Sequence, residues 1–197
     1  MASASVSAPA GRRPLEPIVA IAAVLALALW PIEIHTAFGL PAHPLILHVP
    51  VIFIPILGLA AIALAIWPRE RFVLPAAAFS VVTLAATMLT VGAGEAFQAD
   101  RAAQMPGEIS PTLQNHMDAG RALRITMILL TLMLVASLFA KRWPAGVRVG
   151  LRVLTVLLAA TAVFFVIRTG HLGAKLVWGP EGQGGPQGQG AQGPGGG

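Results

Sequence analysis

Apolar residues run along this chain in five long blocks, separated by polar connections that carry most of its charges. A helix needs about 20 mostly apolar residues to cross a bilayer core. The blocks predict spanning helices over roughly 17–34, 44–67, 72–91, 125–140 and 149–167. The fourth helix should begin earlier than its apolar part, near Pro111, with Ser110 as a cap and Pro111 in the first turn. Pro44 can take a similar first-turn position, while Pro68 and Pro144 lie past helix ends. Pro50, Pro55 and Pro75 fall inside spans and should bend them, leaving carbonyls for neighbouring helices to satisfy. Trp30, Trp67, Trp143 and Trp178 all fall at or just outside span ends, where an indole prefers headgroup depth.

This pattern predicts an all-α integral membrane helical bundle, with four core transmembrane helices plus an N-terminal transmembrane helix. Residues 1–16 form an N-terminal cytoplasmic segment and 17–178 the five-helix domain. Residues 179–197, mostly Gly, Gln and Pro, cannot bury a core and should be a disordered tail. The first apolar run ends in Trp30-Pro31-Ile32-Glu33 without a small-x-small cleavage site, so it reads as an uncleaved helix rather than a signal peptide.

Composition agrees. Apolar residues make up 56% of the chain and charged residues 11%, against about 25% charged in soluble domains. The net charge of +5 does not point to nucleic acid, because the basic residues sit mainly between apolar runs, where they orient a membrane protein. One face collects Arg12, Arg13, Arg69, Arg71, Lys141, Arg142, Arg148 and Arg152; the other holds Arg101, Arg121, Arg124, Arg168 and Lys175. The richer face is expected to be cytoplasmic. Glu33, Glu95, Asp100, Glu108, Asp118 and Glu181 fall on the opposite face. The chain is thus expected to be a multi-pass protein of the inner (cytoplasmic) membrane, N-terminus inside and C-terminus outside. The absence of cysteine removes thiolate ligands, iron–sulfur clusters and covalent haem attachment through CxxCH.

The same alternation puts His35, His43, His48, His116 and His171 on one face, extracytoplasmic in this orientation. Ionisable groups at the edge of lipid are costly without a partner, so a group of imidazoles reads as a candidate site. His43 and His48 are five residues apart, about 140° around a helix, and do not share a face as an i, i+4 pair would. His116 and Gly120 stack one turn apart, and His171 is flanked by Gly170 and Leu172-Gly173. Small residues beside a histidine leave room for a flat group. Two site types fit. One is a b-type haem with two axial imidazoles and propionates paired to Arg124 and Arg168. The other is a transition metal ion held by His48, His171, His116 and His43, with Glu95 or Asp118 supplying oxygen. His48 and His171 are the first choice as ligands, followed by His116 and His43; His35 lacks other site-like neighbours. The plainer reading is a polar network: histidines as hydrogen-bonding groups, arginines that snorkel, Glu95 paired with Arg124 or Arg168, and glycines that allow helices to approach.

Three stretches resemble a bacterial transmembrane domain-of-unknown-function family (number 2231). They are His43-Pro44 with His48 and Pro50, in the manner of an HPxxxHxP motif; His116 with Gly120; and Thr169-Gly170-His171-Leu172-Gly173 running on to Trp178. Ala174 and Trp178 depart from the family pattern, which favours glycine and tyrosine there. The resemblance covers about residues 40–178 and implies a compact bundle of four core helices with one added at the N-terminus. Some relatives adjoin cytochrome-like modules, which by association inclines the reading to haem. The expected function is therefore electron transfer or redox sensing at a histidine-lined site. Its partners would be the lipid bilayer and a membrane or extracytoplasmic redox protein. The alternative is a non-enzymatic membrane scaffold or accessory subunit. The spans lack mid-membrane ionisable residues, which disfavours an ion pathway, and no nucleophile–base–orienter arrangement supports a hydrolase.

Overall fold

A computed structural model describes residues 15–104 and 107–179. The N-terminal residues 1–14 and nearly all of the 179–197 segment lie outside the described residues.

The described residues form six α-helices: α1 (Glu16–Leu27), α2 (Ala42–Ile46), α3 (His48–Ile66), α4 (Glu70–Gln104), α5 (Pro111–Ser137) and α6 (Ala145–Trp178). A 3-10 turn over Ala140–Arg142 precedes α6. Among the described residues, four stretches are long and apolar enough to cross a membrane: Ala42–Ile66, Glu70–Gln104, Pro111–Ser137 and Ala145–Trp178. The N-terminal helix is apolar but shorter, at 12 residues. Past Leu27 its hydrogen bonds tighten to i→i−3, as in Ala28 to Leu25 and Trp30 to Leu27. Pro31, with no N–H, cannot extend the ladder.

Helices α3, α4, α5 and α6 close a four-membered ring, each packing on the next and α6 on α3. Helix α1 lies against the seam of α4 and α5. The shared core holds Ile54, Leu57, Leu84, Met88, Met127, Leu130 and Leu134 with almost no exposure. Buried hydroxyls return to their own helices: Thr83 to the Phe79 carbonyl and Thr87 to the Thr83 carbonyl, each at 2.8 Å. Thr131 instead reaches across from α5 to the Ser80 carbonyl of α4 at 3.3 Å. Every buried hydroxyl so placed has an acceptor, which an apolar surrounding demands. Ile21, Val24, Leu59, Val82, Leu157 and Phe164 point outward, over half exposed, as lipid-facing side chains should. Gly58 brings α3 against α6: a Cβ there would lie 2.6 Å from Val163 Cγ2.

Proline explains the division between α2 and α3. Pro50 has no N–H to offer the Ile46 carbonyl, and α2 ends at Ile46, with α3 beginning at His48. Pro55 and Pro75, by contrast, sit inside α3 and α4, which continue through them. Ser110 caps α5 as expected, its Oγ accepting from the Leu113 N–H at 3.2 Å.

Between α1 and α2 lies an unpredicted hairpin. Strand β1 (Thr36–Ala37) pairs antiparallel with β2 (Leu40–Pro41). The two turn residues, Phe38 at φ 53° and Gly39 at φ 77°, both have the left-handed backbone that a tight two-residue hairpin needs. The segment leading to it crosses α4 at Gly92, where any Cβ would collide with the Ile32 carbonyl oxygen.

Candidate functional site

At the end of the bundle where α2 begins, two imidazoles meet. His43 on α2 and His116 on α5 have ring centroids 6.2 Å apart and planes at 88°. Each is pinned by a backbone carbonyl of a third and a fourth helix. His43 Nδ1 lies 2.9 Å from the Thr90 oxygen on α4, and His116 Nδ1 lies 3.0 Å from the Thr169 oxygen on α6. A carbonyl can only accept, so each Nδ1 carries the hydrogen and donates. Each Nε2 then holds its lone pair while the ring is neutral, and neither Nε2 hydrogen-bonds to a described residue.

Both carbonyls are reachable for one local reason. In a helix the carbonyl of residue i bonds to the N–H of i+4, and the side chain at i+4 crowds that oxygen. Here i+4 is glycine in both cases. Gly94 follows Thr90, and a Cβ on it would lie 2.9 Å from His43 Nδ1. Gly173 follows Thr169, and a Cβ on it would lie 3.3 Å from His116 Cε1. The Thr-x-x-x-Gly spacing thus occurs twice, once for each histidine. That repeated spacing is the signal in the sequence for this pairing. Gly120, expected to make room beside His116, faces open space instead, with nothing within 4 Å of an added Cβ.

The other candidates fall elsewhere. His48, at the first position of α3, and His171, near the end of α6, are both exposed. The two histidines brought together are therefore His43 and His116, not the pair ranked first from sequence. Arg168 is exposed. Arg124 is buried, its two terminal nitrogens each 3.2 Å from one oxygen of Glu95, while its Nε, also buried, meets no hydrogen-bond acceptor among the described residues. This fork joins α5 to α4, and the Trp30 ring covers it at 4.0 Å from the guanidinium carbon. Arg121 adds a longer contact to Glu95 at 3.7 Å and one to Asp118 at 3.3 Å. Glu95 thus serves as the counter-ion of Arg124. Among the described residues, no group of three or more His, Asp or Glu side chains gathers around one point as a metal cage.

His35 belongs to a separate contact. Its Nδ1 lies 2.8 Å from Asp100 Oδ2, tying the hairpin segment to the last turns of α4. The hydrogen bond to Asp100, reinforced by that carboxylate's charge, raises the His35 pKa above its ordinary 6.5.

A four-helix membrane bundle with paired imidazoles at one end is the class these features define. The sequence model of the predicted membrane protein family DUF2231 matches residues 39–182, and the chain belongs to this family. The match begins at the hairpin and takes in the four long helices but not α1. No curated protein and no solved structure matches the chain.

Proposed function

We propose that His43 and His116 form a two-imidazole site for a transition metal, with b-type haem iron as the favoured form, and that the protein serves electron transfer or redox sensing. One observation carries this reading: two adjacent neutral imidazoles with Nδ1–H committed to backbone carbonyls and both Nε2 lone pairs left over. Donation of the far ring N–H to a carbonyl is the arrangement that orients metal-bound histidines and raises their basicity. The separation also suits a shared ion. With centroids 6.2 Å apart, His43 and His116 are the two rings that would hold such an ion. Bound iron would supply the one-electron chemistry. The chain's own part is to hold both rings in one tautomer through the Thr90 and Thr169 carbonyls. The exposed Arg168 remains the available cation for a propionate.

The charge asymmetry supports an N-terminus in the cytoplasm and a histidine end facing outward, in the inner membrane of a bacterium. A redox partner would then approach from the extracytoplasmic side or within the bilayer.

A second reading has its own support. The two histidine bonds join α2 to α4 and α5 to α6, and Arg124–Glu95 joins α4 to α5. That is a structural polar network, as a scaffold or accessory subunit would use.

Optical spectra and metal analysis of the full chain, extracted in mild detergent, separate the two. The redox reading expects a Soret band or close to one metal per chain, lost in His43→Ala and His116→Ala and kept in His48→Ala and His171→Ala. A wild-type protein free of both haem and metal, with His43→Ala and His116→Ala only lowering Tm, would leave the scaffold reading.

A further inference from the structure

The opposite end of the bundle carries a second site of different chemistry. An open cavity of about 580 Å³ lies between the start of α4, the 3-10 turn and the start of α6. This volume is in the range of small-molecule sites. Its wall is apolar, formed by Ala61, Leu64 and Ala65 of α3, Leu134 of α5 and its C-cap Leu138, and Leu151 of α6. Its rim is basic. Among the described lining residues, Arg71, Lys141, Arg148 and Arg152 outnumber the two carboxylates, Glu16 and Glu70. Glu70 is already taken by Lys141, at 2.7 Å. Arg148 and Arg152 lie one turn apart on α6, so they share a face, and neither forms an ion pair with a described residue. Arg71 stands beside them, its guanidinium 4.7 Å from the Phe72 ring centre.

We propose that this cavity binds an anionic phospholipid. The guanidinium groups of Arg148, Arg152 and Arg71 hold the phosphate, and one acyl chain lies along the apolar wall. The two halves of the cavity select this class together. A free inorganic anion would use the rim and leave the wall empty, and a zwitterionic lipid would forgo the excess of positive charge. Guanidinium groups suit phosphate because their fork matches its oxygens. Basic pockets between transmembrane helices at the cytoplasmic surface are suited to acidic headgroups on general electrostatic grounds. The site is independent of the histidine end and stands or falls without it.

The test uses the full chain in a neutral detergent, with native mass spectrometry and thermal melting. Phosphatidylglycerol, phosphatidylcholine and inorganic phosphate are the three probes, at equal concentration. Phosphatidylglycerol is expected to stay bound and raise Tm, and the other two are not. Arg148→Gln/Arg152→Gln should weaken phosphatidylglycerol binding about thirtyfold, the factor expected for two basic residues at a lipid surface. Arg148→Lys/Arg152→Lys should keep most of it. Ala65→Trp, which fills the apolar end and leaves every charge in place, should also weaken it, and this variant decides the matter if the glutamine variant loses its helical circular dichroism. Equal binding of phosphatidylcholine, equal stabilisation by phosphate, or phosphatidylglycerol binding unchanged in the folded variants overturns the proposal.

Discussion

Two glycines govern the histidine pair, and their roles can be separated by one methyl group each. Gly94→Ala would place a carbon 2.9 Å from His43 Nδ1, too close for either to stay. Backbone lies behind the methyl, so the imidazole must move and lose its Thr90 bond. Overpacking of this kind costs roughly 1–3 kcal/mol. Gly173→Ala meets His116 Cε1 at 3.3 Å, which a small ring shift relieves, so its cost should be smaller. Gly120→Ala meets nothing and should stabilise α5 by roughly 0.5–1 kcal/mol through helix propensity. Thermal melts of the three variants should therefore rank Gly120→Ala above wild type, then Gly173→Ala, then Gly94→Ala. Equal Tm for Gly94→Ala and Gly120→Ala would mean that His43 is not held as described.

Among the elements, the hairpin segment is tied to the last turns of α4 by the His35–Asp100 contact, which depends on pH through the histidine. The folded pKa of His35 is raised, so the contribution of this contact is full below the ordinary value of 6.5. It is lost as pH rises through the raised folded value. His35 is exposed and its pair sits in water, so global stability should change little with pH on its account. The local readout is the His35 ring itself. A proton NMR titration should show its pKa above 6.5 in the wild type and returning towards 6.5 in Asp100→Asn. An identical titration in both proteins would rule the contact out. The all-α pattern concealed this hairpin because two residues per strand are too short for an alternation to register. Helix ends were hidden for a related reason. The apolar run of α4 ends near Val91 while the helix continues to Gln104, and that of α6 ends near Ile167 while the helix continues to Trp178. Hydropathy marks where lipid stops, and a helix can continue into water once neighbours pack against it.

For the molecule as a whole, orientation is the largest matter open to a direct experiment, and the absence of cysteine makes it simple. Thr36→Cys, exposed on the hairpin, should react in intact cells with a maleimide that cannot cross membranes. Arg69→Cys, exposed between α3 and α4, should react only after lysis. The reverse pattern would invert the assignment based on eight basic residues against five.

The amino-acid sequence alone determined the helical bundle, its four long spans, the cap at Ser110 and the membership of the family, because length, apolar content and proline placement act locally. It also sent all five histidines towards one end, since alternation of spans is counting. Which of them meet was decided only in three dimensions. His43 turns to Thr90 and His116 to Thr169 across 47 and 53 residues of chain, and those choices depend on where two glycines let neighbouring helices come close. Arg124 likewise became the partner of Glu95 and Trp30 through packing of α1, α4 and α5. Side chains at a helix interface are paired by rotation and crossing of the helices, which no periodicity within a single helix specifies.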